Sequence, residues 1–260
     1  MNAVLKLQTP KGVTITKTTV HSREWSQERR SGIGGSDFDN LVESSGYGCE
    51  RKLYLDKSGF QSDYPDTDNY RLRRGKRQES VARDYYLELT KRPITADLPT
   101  YSRAFRSDEA LGETRARYNP DGFVERDGEL GVLEIKTLGV DSFEKYKKSG
   151  LPLHYALQPQ WGAGILGLTF SSFAIFSPEL DDLVNFDIEF NEEAFKTADL
   201  LASTFWRRYM HGADSRDPLD RDYWPPALED GSTACKYCEF RKTCKNLVKA
   251  GTKSKTTLKF

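Results

Sequence analysis

Tyr118-Asn-Pro-Asp-Gly-Phe-Val-Glu125, then Arg126-Asp-Gly128, then Leu130-Gly-Val-Leu-Glu-Ile-Lys-Thr137: the fold is decided by how these three pieces are read. The outer two are rich in β-branched, aromatic and apolar residues. The Asp127-Gly128 pair between them supplies the positive φ angles of a tight hairpin turn. The stretch therefore reads as two antiparallel strands. Along the second strand, side chains alternate. Val132, Glu134 and Lys136 share one face; Leu133, Ile135 and Thr137 share the other. Asp121 lies on the partner strand, close enough to converge with Glu134. Two carboxylates on one sheet face can bind Mg²⁺ through hard oxygen ligands, and the backbone carbonyl of Ile135 could complete the sphere. A lysine beside them can position a water, or help deprotonate it, and offset charge on a phosphorane-like transition state. This is the set of groups that phosphodiester hydrolysis requires.

An acidic-x-Lys triplet alone is weak evidence in a chain that is 30% charged. Glu50-Arg-Lys52 is another. Only Glu134-Ile-Lys136 lies in a β-rich apolar run with a Pro-Asp pair upstream on a hairpin partner. Pro65-Asp66 has no such triplet after it on a strand.

Upstream, Tyr70 to Thr90 contains no Pro and one Gly. Leu72, Gly75, Glu79, Ala82, Tyr86 and Leu89 fall on one helical face. This puts Glu79 in the stripe expected to be buried, where a carboxylate is costly unless it pairs with an Arg or binds a cation. Arg71, Arg73, Arg74, Lys76 and Arg77 open the helix as the strongest local basic patch, a pattern that is usually a solvated face. Further upstream, Ser22 to Asp39 reads as a helix, the loop Gly32-Ile33-Gly34-Gly35-Ser36, and a second helix. The loop is either an ordinary turn or a row of N–H groups ready for a phosphate at Ser36. Downstream, His154 to Leu168 reads as a helix with Pro159 in or near its first turn. Thr169–Ser177 and Leu183–Phe190 read as strands, and Asn191 as the cap of a helix running to about His211. His21 and His211 are expected at the surface, and His154 as a cap or surface residue. Trp161 is expected in the core.

The composition narrows the function. Lys+Arg and Asp+Glu number 39 each in 260 residues, so bulk positive charge cannot hold a nucleic acid and any such contact is a local patch. The longest apolar run, Trp161 to Leu168, is too short to span a bilayer. Met1 to Lys11 has no hydrophobic signal core, which predicts a cytoplasmic protein of a bacterial or phage-infected cell, with no membrane partner.

A reducing compartment disfavours disulfides, so Cys49, Cys235, Cys238 and Cys244 read as metal ligands. Three form C-x2-C-x5-C, and the fourth lies about 190 residues upstream. Zinc and an iron–sulfur cluster both accept four thiolates, and spacing does not choose between them. Either would tie the two ends of the chain together.

The ordered set resembles the PD-(D/E)xK nuclease superfamily, and more narrowly its phage-lambda-exonuclease and YqaJ-type viral recombinase group. There, W-x3-R leads into a small-residue loop with Ser, matched by Trp25, Arg29 and Gly32 to Ser36. A G-K-x-x-E helix is matched by Gly75, Lys76 and Glu79. S-P-D-G becomes Asn119-Pro120-Asp121-Gly122, a departure at its first position. E-x-K is Glu134 and Lys136, and Y-x-x-Q-x-Q is Tyr155, Gln158 and Gln160. The match covers roughly residues 23–170.

The resemblance implies an α/β restriction-endonuclease-like fold, a mixed central β-sheet flanked by helices. It implies a DNA exonuclease, 5′→3′, in recombination or end processing, with a single-strand annealing protein as a partner. Asp121 and Glu134 would hold Mg²⁺ or Mn²⁺, with Glu79 as an outer or second-site carboxylate. Lys136 would position or deprotonate the water, and Gln158 would orient Lys136 or the substrate. Arg29 and Ser36 would hold a 5′-terminal phosphate.

The cysteines with Cys49-Glu-Arg-Lys-Leu-Tyr-Leu are similar to those of CRISPR-associated and RecB-like nucleases, which implies a [4Fe–4S] cluster as a C-terminal clasp. Two alternatives stay open: a CRISPR-type DNA-trimming nuclease, and a non-catalytic nucleic-acid-binding protein with a structural zinc site. The expected organisation is a tail or edge strand over 1–20 and a nuclease core over 21–211. A connector and cysteine region follows over 212–245, then a basic flexible tail over 246–260.

Overall fold

The computed structural model describes residues 7–17, 22–42, 46–64, 70–95, 99–111, 115–211, 224–229 and 231–254. In chain order the N-terminal half carries β1 (Thr14–Thr16), α1 (Arg23–Arg30), α2 (Phe38–Leu41), α3 (Glu50–Lys57), α4 (Tyr70–Thr90), β2 (Ile94–Thr95), β3 (Thr100–Arg103) and β4 (Ala116–Tyr118). The central segment carries β5 (Gly122–Arg126), β6 (Glu129–Thr137), α5 (Val140–Ser149), α6 (Leu153–Leu166), β7 (Phe170–Ser177) and β8 (Asp182–Glu189). Then come α7 (Glu192–Phe205), α8 (Thr233–Lys236) and α9 (Arg241–Ser254).

Five strands form the central sheet in the order β2-β5-β6-β7-β8. The β5–β6 hairpin pairs Arg126 with Glu129, leaving a two-residue loop. Asp127 and Gly128 occupy that loop at φ 53° and 84°, as a tight turn of this kind requires. β6 and β7 are parallel, with α5 and α6 in the crossover between them, and the other pairs are antiparallel. The sheet is therefore mixed, with helices on both faces. Leu133 and Ile135 pack with Ala82 and Tyr86 of α4 on one face. Val132 packs with Leu157, Trp161 and Ile165 of α6 on the other, so the period-two reading of β6 holds. β7 is buried along its whole length, as its apolar run and central position demand. A second sheet, β1-β3-β4, is antiparallel, with β1 at its edge.

Several expectations need correction. Tyr118 does not open the hairpin: it ends β4 in the second sheet, and Asn119 to Asp121 carry the chain across to β5. Pro159 lies in the middle of α6, not its first turn. Proline there gives up the N–H that would return to Tyr155, and the helix nevertheless continues to Leu166. α5 has no counterpart in the sequence reading, because Phe143 is its single buried residue. α7 runs on to Met210, but its last turn is π-helical. The expected flexible tail is instead helical as far as Ser254 in α9. Pro65 and Asp66, the part of the connector at 212–223, the end of the tail at 255–260, and His21 lie outside the described residues.

The segment after Cys49 touches the C-terminal cysteine region at several points. Arg51 Nε donates to the Pro225 carbonyl at 2.7 Å, and Lys52 pairs with Glu239 at 3.6 Å. Asp63 accepts from the backbone N–H groups of Lys242 and Thr243, capping the start of α9 from a distant part of the chain. Phe240 is buried in the main core.

Candidate functional site

The strand ladder builds the site. Asp121 N–H donates to the Leu133 carbonyl at 3.1 Å, the last rung between the hairpin strands. One step further, Asp121 Oδ2 takes over as acceptor for the Ile135 N–H at 2.8 Å. A strand residue's N–H and C=O leave by the same edge, so the Ile135 carbonyl also faces the Asp121 side, beyond the end of β5. Glu134 projects from the neighbouring position toward α6. Its Oε1 accepts from Lys136 Nζ at 2.8 Å and from Gln158 Nε2, and Tyr118 OH reaches its Oε2 at 3.5 Å. Asp121, Glu134, Lys136 and Gln158 thus stand together.

Charge in this group is unbalanced. Burial and the neighbouring Glu134 push the Asp121 carboxyl up to about 8, against the pull of Lys136 and the Ile135 N–H. Burial also raises Glu134, with Lys136 opposing. Lys136 loses to burial but gains more from Glu134 and Asp121, so its ammonium is held above its ordinary range. One firmly charged cation thus faces two carboxylates that burial disfavours. The site fits a divalent cation on that ground, with hard oxygen donors to offer it. Among the described residues, no group of three or more His, Cys, Asp or Glu side chains is drawn together closely enough to hold a metal ion.

Glu79 is not in a buried stripe. The packed part of α4 is Ala82 and Tyr86, whereas the Glu79 side chain is 44% exposed and pairs with Arg83 at 2.7 Å. The same Arg83 nitrogen donates to the Asp121 carbonyl at 2.8 Å. Glu79 therefore stands at the site's margin, one arginine away from Asp121.

The glycine loop reaches the site from the other side. Ile33 bridges to Ala116 of β4, fixing the loop beside the second sheet. A Cβ on Gly35 would lie 2.7 Å from Gln158 Cγ, so only glycine allows this approach. Ser36 follows it and is exposed. Arg29 is exposed on α1, its guanidinium 5.5 Å from the centre of the Trp25 ring.

Sequence reasoning missed what holds this loop. Asp37 Oδ2 accepts from Gly34 N–H at 2.8 Å and pairs with Lys57 Nζ at 2.7 Å, with both side chains almost wholly withdrawn from solvent. Lys57 also donates to the Arg29 carbonyl at 2.9 Å. Asp39 was missed as well. Burial raises its carboxyl, and it feels the charges of Lys136 and His154, so it belongs to the same site. His154 is neither surface nor cap: it is 8% exposed, and its Nδ1 finds no partner among the described residues. Gln160 points elsewhere, to the Glu189 carbonyl and the Asn191 N–H, and locks α6 to the start of α7. His211 and Trp161 are exposed and buried, as expected.

The four cysteines are reduced, half-buried and line one cavity of about 480 Å³. Burial raises the Cys49 thiol, with Cys235 and Cys244 adding to the effect. Cys238 is pushed up to about 11, again first by burial.

Residues 24–168 match the family model of the YqaJ-like viral recombinase domain. The chain is 25% identical over 234 residues to the uncharacterized protein YqaJ of Bacillus subtilis (strain 168), covering 87% of this chain. It spans 66% of the length of that curated relative. Among solved structures, the alkaline exonuclease LHK-Exo of Laribacter hongkongensis superposes with a TM-score of 0.56 at 19% identity, over 75% of this chain and 95% of that one. The same enzyme in complex with dAMP gives 0.55 at 20% identity, over the same shares. A structure titled SSO0001 gives 0.51 at 13% identity, over 86% of this chain and 95% of that one. These likenesses establish the mixed α/β fold.

Proposed function

The chain belongs to the YqaJ-like viral recombinase domain family, and from that premise we propose that it is a metal-dependent exonuclease acting 5′→3′ on linear DNA in recombination or DNA-end processing. The observation that carries the reading is the convergence of Asp121, Glu134, Lys136 and Gln158 at the end of the β5–β6 ladder, with Gly35 against Gln158.

Asp121, Glu134 and the Ile135 carbonyl would hold Mg²⁺ or Mn²⁺, with Glu79 as an outer carboxylate. A bound divalent ion supplies Lewis acidity at a phosphodiester oxygen and a more acidic water. The chain's own groups do the rest. Lys136 presents an ammonium where negative charge develops on the phosphoryl oxygens. Its pairing with Glu134 makes it a positioning and charge-offsetting group before it is a base. Gln158 holds Glu134 in place through Oε1, and Tyr118 holds the other oxygen. Ser36 and Arg29 bind the 5′-terminal phosphate of the strand, which sets the register of the cut and the polarity. A single-strand annealing protein, in the cytoplasm of a bacterial or phage-infected cell, would receive the strand exposed by such digestion.

The cysteine cavity is proposed to hold a [4Fe–4S] cluster on Cys49, Cys235, Cys238 and Cys244, with zinc as the alternative. Support comes from four reduced cysteines on one cavity, contributed by distant parts of the chain. A thiol binds a metal only with loss of its proton, so loading weakens as pH falls. The cluster's role is structural.

The test is cleavage of linear duplex against covalently closed circles, with Mg²⁺ or Mn²⁺, for the wild type and Lys136→Ala. The expected result is loss of linear DNA only, reduced about 10³-fold in the variant. Cutting of the circle would remove the roles given to Arg29 and Ser36. Equal cleavage by Lys136→Ala would remove the site.

A further inference from the structure

A cleft of about 560 Å³, which shares His154 with the site above, opens one residue beyond Lys136. Thr137, Tyr146, His154, Tyr155, Arg74 and Tyr47 line it. Its aromatic wall is ordered. Tyr155 stacks on Phe173 of β7 with ring centres 5.6 Å apart, and Tyr146 meets Tyr155 edge-on at 5.8 Å. Its other side is Arg74 and Gly75 in the first turns of α4; Arg74 pairs with Glu179, and Arg73 and Arg77 are exposed on the same turns. At the outer end Tyr47 faces Tyr237, with ring centres 6.3 Å apart and planes tilted by 45°. These two tyrosines are 59% and 61% exposed, among the most exposed large side chains described.

Aromatic rings of this size are ordinarily buried for the apolar area they carry. A track with a cationic side and exposed ring faces is what binds single-stranded nucleic acid, because unpaired bases stack on rings while the backbone follows the charges. A duplex hides its base faces and cannot use such rings. We propose that Tyr47 and Tyr237 form a stacking platform for unpaired bases of a single DNA strand, which runs from the platform through the cleft to Lys136. The proposal rests on the nuclease reading for the identity of the strand. Tyr47 stands two residues before Cys49, and Tyr237 lies between Cys235 and Cys238. The platform's halves therefore come from opposite ends of the chain and meet only where the clasp closes.

The experiment is fluorescence-anisotropy binding of a labelled oligothymidylate with a 5′-hydroxyl, in EDTA so that nothing is cut, using the full chain. Tyr47→Leu and Tyr237→Leu should each weaken binding about tenfold, while Tyr47→Phe, which keeps the ring, binds like wild type. An oligomer of abasic sugars should bind wild type and both Leu variants equally weakly. Unchanged thymidylate affinity in both Leu variants, or wild-type affinity for the abasic oligomer equal to that for thymidylate, would overturn the platform. A melting temperature kept within a few degrees of wild type excludes misfolding; Tyr47→Phe tests the ring even if a Leu variant unfolds, because weakened binding there would also overturn it. Wild-type cleavage measured beside Lys136→Ala reports on the nuclease reading separately. Lys136-dependent cleavage with indifferent rings sinks the platform alone, and ring-dependent binding without cleavage sinks the enzyme alone.

Discussion

The carboxylate site and the cysteine clasp are built on opposite plans. Asp121, Glu134 and Lys136 are set by one hairpin: Asp121 is fixed by two hydrogen bonds to the neighbouring strand, and Glu134 and Lys136 follow from strand alternation. The cysteines come from Cys49 and from a segment about 190 residues later, and only tertiary contacts such as Asp63 to Thr243 and Arg51 to Pro225 bring them together. A site inside a ladder survives the loss of one side chain, because the backbone holds the others in place. A site assembled across the chain depends on what fills it.

Breaking the clasp should produce the larger effect on stability. Cys238→Ser is expected to cost about 2–4 kcal/mol, in the manner of removing a long-range cross-link. The loss should appear in thermal unfolding, together with loss of any visible absorption from the purified protein. A variant with unchanged melting and spectrum would remove Cys238 as a ligand.

The carboxylate site should behave in the reverse way, gaining stability when its chemistry is removed. Asp121 has an ordinary value of 3.8, pushed up to about 8 in the folded chain. Between those values the folded metal-free protein keeps a proton that the unfolded chain has released. Its stability therefore falls as pH rises through that window. Asp121→Asn has no such proton to lose. In EDTA it should raise the melting temperature more at pH 8 than at pH 5, while abolishing cleavage. Equal shifts at both pH values would mean that Asp121 is already ionised in the fold.

The smallest effect belongs to the margin. Glu79→Gln breaks a half-exposed pair with Arg83 and should change stability by less than about 1 kcal/mol. Cleavage should fall by less than tenfold if Glu79 is an outer carboxylate. A loss as deep as that of Asp121→Asn would make it a direct metal ligand.

What could be read in the sequence follows the same division. Asp127-Gly128 and the alternation around Glu134 announce the hairpin, whereas Gln158 is marked only by the resemblance of Tyr155, Gln158 and Gln160 to the family's helix motif. Lys57 could not be read. A lysine in the last turn of a helix ordinarily faces water, yet here it is buried against Asp37. Asp39 and His154 join the site only through tertiary folding, with no periodic signal to mark them. Glu79 misled because the apolar stripe of α4 is packed in its C-terminal half and opens to solvent near Glu79.

α3 spans the interval between the two plans, with Cys49 at its start and Lys57, which holds the glycine loop, at its end. This has a consequence for the time course of synthesis. At ribosomal speeds of about 5–20 residues per second, Cys49 waits about 10–40 s before Cys235 is made. In that interval the hairpin can fold, but α3, the strut between Cys49 and the glycine loop, lacks its C-terminal cysteine partners. The growing chain would thus carry Asp121, Glu134 and Lys136 before Cys49 has its three cysteine neighbours.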